Sequence, residues 1–100
     1  MEYGVIGRET IGTLTASIGF TAANIPPTQG RTRYAIIQAI DAAVRFCIDG
    51  TAPEADTTGM RLTKDSKVEV WGGEAMENFR CIEDGTTAKL EVVYMGTRSS

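Results

Sequence analysis

Acidic side chains are the residues of this 100-residue chain whose spacing comes closest to a chemical site. Asp49, Glu54 and Asp56 lie within eight residues of one another, which raises the possibility of a calcium loop. Calcium loops alternate their oxygen ligands regularly and end in a distal bidentate acid, and this segment lacks that alternation. The spacing therefore favours an acidic surface loop, in which Asp49 closes a turn.

Two further carboxylate pairs, Glu69 with Glu91 and Asp49 with Asp84, have the residue types that glycoside hydrolysis needs. Carboxylates are common on the solvent face of strands, however, and so short a chain offers little wall for a deep cleft. The sequence contains no histidine, which excludes Ser-His-Asp and Cys-His mechanisms. We expect no enzyme, with no catalytic residue, no cofactor and no metal site.

The two cysteines, Cys47 and Cys81, are expected to be free thiols. Cys47 is out of phase with the apolar alternation around Phe46, whereas Cys81 is in phase with Phe79. Thiols that face opposite sides of their sheets do not favour a disulfide. Two cysteines also fall short of a secreted disulfide framework, so a reducing cytoplasm is the expected place of folding.

Aromatic residues provide the clearest sign of a ligand. Trp71 is out of phase with Val68 and Val70, which predicts that its indole lies on an outer face. With Tyr34 and Phe20 it could form a platform for sugars. Packing in a second layer or at a subunit contact is the commoner fate of such residues.

The charge distribution argues against nucleic-acid and membrane partners. The net charge is −3 and the pI about 4.9. Arg31 and Arg33 could contact a partner's acids, but no basic patch supports a nucleic-acid role. No apolar run approaches eighteen residues, and the N-terminus lacks the pattern of a signal peptide.

Apolar-polar alternation with a period of two predicts an all-β fold, a small antiparallel β-sandwich of jelly-roll type with an extended N-terminal arm. The segment 34–43 is predicted as a strand ending in a turn at 41–42, with a short helix as the alternative. Other strands are predicted at 44–48, 60–63, 67–71, 78–83 and 88–95, and one helical turn at 74–78. The expected core is Val44, Phe46, Ile48, Leu62, Val68, Val70, Phe79, Leu90, Val92 and Tyr94.

Three regions are predicted: an arm with the first strand at 1–33, the β-sandwich core at 34–96 and a polar tail at 97–100. Within the arm, Ile11 to Ile18 is predicted as a strand, because its threonines suit a pleated surface. The arm is either an ordinary first strand and loop or a segment that completes its structure on a neighbouring subunit. The candidate interface residues are Ile11, Leu14, Ile18, Phe20, Arg31, Arg33 and Trp71.

Taken in order, these segments resemble small virion proteins of tailed bacteriophages. The resemblance covers about sixty C-terminal residues. It implies a capsid decoration (cement) protein in the virion, assembled in the host cytoplasm, with the major capsid protein or other virion proteins as partners. It also implies a homo-oligomer, a trimer by analogy. A head-tail connector or tail component is the alternative, and a carbohydrate-binding β-sandwich is the alternative from another class. The residues that carry it are Ala43 to Phe46, Asp49 to Pro53, Gly59 to Leu62, Lys67 to Val70, Asn78 to Ile82 and Ala88 to Tyr94.

Overall fold

Strands account for most of the regular structure in this protein. A computed structural model describes residues 3–55 and 57–97. One α-helix, α1 (Gly73–Asn78), and a 3-10 turn at Ala22–Asn24 accompany the strands in these ranges. The strands are β1 (Tyr3–Ile11), β2 (Thr32–Ile40), β3 (Val44–Cys47), β4 (Met60–Leu62), β5 (Lys67–Trp71), β6 (Arg80–Glu83) and β7 (Lys89–Thr97).

The strands form two antiparallel sheets, so the predicted small all-β fold is confirmed. The four-stranded sheet has the order β1-β7-β2-β5, and the three-stranded sheet has the order β4-β3-β6. Ile18 adds a short antiparallel bridge to Cys81 at the β6 edge. Both sheets contribute to one apolar core, where Phe79 stacks on Phe20 with ring centroids 4.1 Å apart.

Most of the predicted core residues are buried, with two exceptions. Val68 is only partly buried and packs against the core. The prediction for Ile48 is wrong, because its side chain is 40% exposed. Strand β3 ends at Cys47, so the alternation that buries Val44 and Phe46 no longer applies one residue later.

The segment predicted as strand or helix is the strand β2, with Asp41 in the turn that follows it at a φ of 72°. The strand predicted at Ile11 to Ile18 is wrong, since β1 occupies Tyr3–Ile11 and pairs with β7. A β-bulge between Val5 and Gly7 shifts the β1 register, which hides its alternation from a period-two pattern.

The chain after β1 covers one end of the core. Leu14, Phe20 and Ile25 are buried in it. The radius of gyration is 13.0 Å, and about 13 Å is expected for a compact domain of 100 residues. The described part of the N-terminal region is therefore folded on its own chain, and its contact with a second subunit stays a prediction.

A polar cluster beneath the four-stranded sheet ties this covering segment to β1. The Glu9 carboxylate accepts hydrogen bonds from Thr21 Oγ1 (2.7 Å), Asn24 Nδ2 (3.2 Å) and the Tyr94 hydroxyl. Burial raises the pKa of Glu9, but these hydrogen bonds to the charged form outweigh it and leave the pKa below its ordinary value. Burial and the Glu9 carboxylate together raise the pKa of Tyr94. The cluster thus stabilises an ionised Glu9 and a protonated Tyr94.

Candidate interaction surface

The outer side of the four-stranded sheet is apolar over much of its area. Residues that alternate with the buried positions of β2, β5 and β7 must point away from the core. Val5 is 67% exposed, Trp71 50% and Tyr3 46%, so large apolar groups meet solvent here. We call this surface the apolar outer face, and it consists of Tyr3, Val5, Tyr34, Ile36, Trp71, Val93 and Met95.

Three rings form an aromatic cluster on this face. Tyr34 lies directly opposite Trp71 in the β2–β5 register, and their rings stack with centroids 4.0 Å apart and planes 11° apart. The Tyr3 ring meets both edge-on, at 5.8 Å from Tyr34 and 5.9 Å from Trp71. Such pairs contribute about 0.5–1.5 kcal/mol beyond their buried area, so the rings hold one another in place.

Of the three aromatic residues considered for a platform, Trp71 and Tyr34 lie together on the outer face and Phe20 does not. Trp71 lies on the outer face as its phase predicted, whereas Phe20 stacks on Phe79 inside the core. Tyr3 takes part instead and was missed. Its alternation with Val5 at the start of β1 was the available signal, but the bulge that follows obscured the strand.

Charged residues occupy the edges of this face. At the β5 edge, Glu69 accepts a hydrogen bond from Trp71 Nε1 at 2.9 Å, which orients the indole. At the β1 edge, Arg8 forms an ion pair with Glu91 at 2.7 Å, and Thr10 also donates to Glu91 at 3.0 Å. These hydrogen bonds, with that of Arg8 the largest effect, lower the pKa of Glu91. The face thus has apolar residues across its two aromatic and aliphatic rows, Arg8 at the β1 edge, and Glu69 with the neighbouring Lys67 at the β5 edge.

The outer side of the three-stranded sheet has a different character. The Asp84 carboxylate accepts hydrogen bonds from Arg45 Nε at 3.0 Å and Arg61 Nε at 2.8 Å. Its side chain is only 4% exposed, because the two guanidinium groups cover it. We call this set the Asp84 ion-pair cluster. The negative charge of Asp84 is thus neutralised within the chain, and the two guanidinium groups exceed it by one positive charge.

The carboxylates considered for catalysis lie on different elements of the fold. Glu69 and Glu91 lie on β5 and β7, which are separated by β2 on an open sheet face. Asp49 closes a turn, as predicted, by accepting a hydrogen bond from the Thr51 backbone N–H at 3.0 Å, and this bond lowers the pKa of Asp49. Asp84 is engaged by its two arginines.

The described residues contain no group of three or more potential metal ligands from His, Cys, Asp and Glu. Asp56, the third acid of the predicted loop, lies outside the described residues. Of the polar tail predicted at 97–100, only Thr97 is described, and it is the last residue of β7.

The predicted interface residues divide into two groups. Ile11, Leu14 and Phe20 are buried in the core of their own chain, so their assignment to an exposed interface needs correction. The cause is the covering segment, which folds back over the core instead of extending away from it. The other four lie at the surface: Ile18, Arg31, Arg33 and Trp71.

Neither exposed arginine projects freely as a docking group. Arg31 Nε donates to the Thr97 carbonyl at 2.9 Å, and Arg33 Nη1 donates to the Gly30 carbonyl at 2.5 Å. The first bond holds the start of β2 beside the end of β7, and the second closes the turn that precedes β2. The two arginines thus support the local backbone.

Both cysteines are free, as predicted, and they lie on opposite sides of the three-stranded sheet. Cys81 is buried in the core, and burial raises its pKa to about 12. Cys47 faces outwards and is half-buried, and its pKa is raised by burial and by Asp49. It lines a shallow apolar depression with Ile48 and Met60, a second and smaller apolar surface.

Among the described residues, no helix has the length and apolar character needed to cross a membrane.

Comparison with known proteins does not assign this chain to a family. No protein-family model, curated protein or solved structure matches the chain.

Proposed function

We propose that this protein is a structural component of an assembly and that it docks through the apolar outer face. The observation that carries the proposal is the exposure of Trp71, Tyr3 and Val5 side by side on one sheet. Contiguous apolar patches of this kind on monomers mark interaction sites more often than chance surface does. Aromatic residues with a charged rim are also the composition typical of protein–protein interfaces.

The assembly that fits best is the virion of a tailed bacteriophage, in which the protein decorates and stabilises the capsid shell. The sequence resemblance to small virion proteins supports this placement, and the two-sheet β-fold is compatible with it. Its partners are then the major capsid protein or other virion proteins, together with further copies of itself. A head-tail connector or tail position is the alternative within the same class.

Mass spectrometry of particles tests the placement directly. Density-gradient-purified particles from the bacterium that carries the gene should yield the tryptic peptides 46–61 and 68–80. A Trp71→Ala variant should be strongly depleted from particles, whereas Lys64→Ala, a change in the exposed β4–β5 turn, should be retained. Particles that lack the wild-type protein would contradict the virion placement.

A carbohydrate-binding module is the second candidate, favoured by the exposed Trp71 indole beside Glu69 and Lys67. Sugars commonly stack on an exposed ring face, and here Tyr34 already covers one face of the indole. Titration of the protein with soluble oligosaccharides, followed by the fluorescence of its single tryptophan, tests this candidate. A saturable change that is lost in Glu69→Ala would favour it over protein docking.

A further inference from the structure

We propose that the apolar outer face pairs with the same face of a second copy of this chain, in a twofold-symmetric dimer with the two sheets packed face to face. This inference rests on the docking role proposed above and names its partner. The twofold axis lies between the sheets and runs parallel to the strands. Strand β1 of one copy then lies over β5 of the other, and β7 lies over β2.

The strand registers place the outer residues in rows across the sheet. Met95 is paired with both Val5 and Tyr34, and Tyr34 is paired with Trp71, so these four share one row. A twofold axis parallel to the strands keeps each row but reverses its order. The next row, built from the same three pairings, is Arg8, Val93, Ile36 and Glu69.

Row reversal makes the face complementary to itself. Arg8 at the β1 edge comes opposite Glu69 of the second copy, and Glu69 comes opposite the second copy's Arg8. Between these two ion pairs, Val93 of each copy meets Ile36 of the other. The aromatic row is reversed in the same way, so Val5 lies over Trp71 of the second copy. Apolar groups meet apolar groups, and opposite charges meet at both edges.

The other in-plane twofold axis, perpendicular to the strands, does not give this match. It keeps the order of the strands and exchanges the two rows, which places Arg8 over Val5 and Glu69 over Trp71. Charges would then be buried against apolar groups with no opposite charge from the second copy, which is unfavourable.

The available area suits a reversible dimer. Strands β1, β2 and β7 have nine residues each. At about 3.4 Å per residue and about 4.8 Å between strands, these three strands cover roughly 30 Å by 14 Å, and the shorter β5 adds roughly 17 Å by 5 Å. Side-chain relief increases that area towards the ~800 Å² per partner of a standard interface. We therefore expect dimers that dissociate on dilution.

Charge reversal in the purified protein, followed by analytical ultracentrifugation, tests the pairing. The wild type should be dimeric at high concentration, and Arg8→Glu or Glu69→Arg alone should weaken association by at least tenfold. The double variant R8E/E69R should restore it to within a fewfold of wild type, because it exchanges the two charges between the edges. Lys64→Glu and Glu74→Arg are matched controls away from this face and should associate as the wild type does.

Recovery of association in the double variant distinguishes an effect of these charges on docking from an effect on folding. Arg8→Glu also removes the internal ion pair with Glu91, so circular dichroism and thermal unfolding of each variant must show an intact β-fold. A protein that stays monomeric at the highest concentration would overturn the inference, and so would the trimer implied by the virion resemblance. A double variant no better than the single ones would also overturn it.

The dimer and the virion placement can fail separately. A dimer that responds to charge reversal but is absent from particles leaves this inference standing and refutes the placement. A monomer whose Trp71→Ala variant is lost from particles supports the proposed function and shows that a virion protein, not a second copy, occupies the face. Oligosaccharides could instead change the tryptophan fluorescence of a protein that neither dimerises nor enters particles. That result would assign the face to a glycan and contradict the inference.

Discussion

The two sheets share one core, but their outer faces differ in how they use charge. On the three-stranded sheet, Arg45 and Arg61 converge on Asp84 and neutralise it within the chain. On the four-stranded sheet, the stacked rings of Tyr34 and Trp71 lie exposed on β2 and β5, and apolar side chains continue across the sheet to β1. The Asp84 carboxylate of the first face has its partners within the chain, whereas the second face leaves apolar side chains exposed to solvent.

This difference shows how one small β-fold can separate stability from binding. A covered ion-pair cluster destabilises the chain when one partner is lost, because the remaining charges keep their desolvation cost. An exposed aromatic cluster contributes less to folding, since half of its surface still contacts water in the monomer. Mutations on the three-stranded sheet should therefore lower the free energy of unfolding, and mutations on the apolar outer face should mainly weaken association.

The largest expected effect is on the three-stranded sheet. Asp84→Ala should lower the free energy of unfolding by about 3 kcal/mol, because it leaves two arginines facing one another without the carboxylate. Urea unfolding measures the loss. Asp49→Ala, which removes an exposed turn carboxylate, is the control and should change the free energy of unfolding far less. Equal losses in the two variants would remove the contrast between the faces.

Trp71→Ala should have a small effect on stability and a large effect on association. It should lower the free energy of unfolding of the dilute monomer by only about 1–2 kcal/mol, through the lost ring contacts. Association or docking should be lost entirely in the same variant. Trp71→Phe, which keeps an aromatic ring, should retain part of both. A Trp71→Ala variant that unfolds as readily as Asp84→Ala would show that the aromatic cluster is structural.

Glu9→Gln examines the inner side of the four-stranded sheet and should cost about 1 kcal/mol at pH 7 through weakened hydrogen bonds. The pKa of Glu9 in the folded state lies below the reference value of 4.5. Its stabilisation is therefore full above pH 4.5 and is lost as the pH falls through the lower folded pKa. Unfolding free energies of the wild type and the variant should converge on acidification. A gap that does not narrow as the pH falls below 4.5 would contradict this account, and Glu77→Gln on α1 is the exposed control.

The smallest effect concerns reactivity without a change in stability. Cys47 should react with a thiol reagent in the native protein, whereas Cys81 should react on the order of 100-fold more slowly, because it is buried and its pKa is about 12. Denatured, never-reduced protein should show two thiols. Cys47→Ser should abolish the fast phase. A fast phase that persists in this variant would place Cys81 within reach of solvent.

Local pattern predicted the strands from Val44 onward with good accuracy. Strand β5 occupies its predicted bounds, and β4 ends within one residue of them. Asp65, at a φ of 66°, lies in the turn that joins them. Alternation and turn chemistry act over a few neighbouring residues, so the sequence displays them directly. The same parity argument correctly placed the two thiols and Trp71.

The N-terminal third could not be predicted in this way. Its strand carries a bulge and pairs with β7, which lies 79 to 94 residues away along the chain, so its position depends on a distant partner. Phe20 is buried because the covering segment folds back over the core, and no local period encodes that path. A short alternating segment is compatible with an edge strand, a loop or an arm until its partner is known.

The candidate surface likewise depends partly on local pattern and partly on tertiary contacts. The sequence by itself determined which face of its strand Trp71 would occupy, because side-chain direction follows from the backbone period. Only the tertiary structure decided that Tyr3 and Tyr34 would meet it there, and that Asp84 would lie between Arg45 and Arg61. Those contacts join residues 23 to 68 positions apart, and the order of strands in a sheet results from burial of the whole core, not from any single segment.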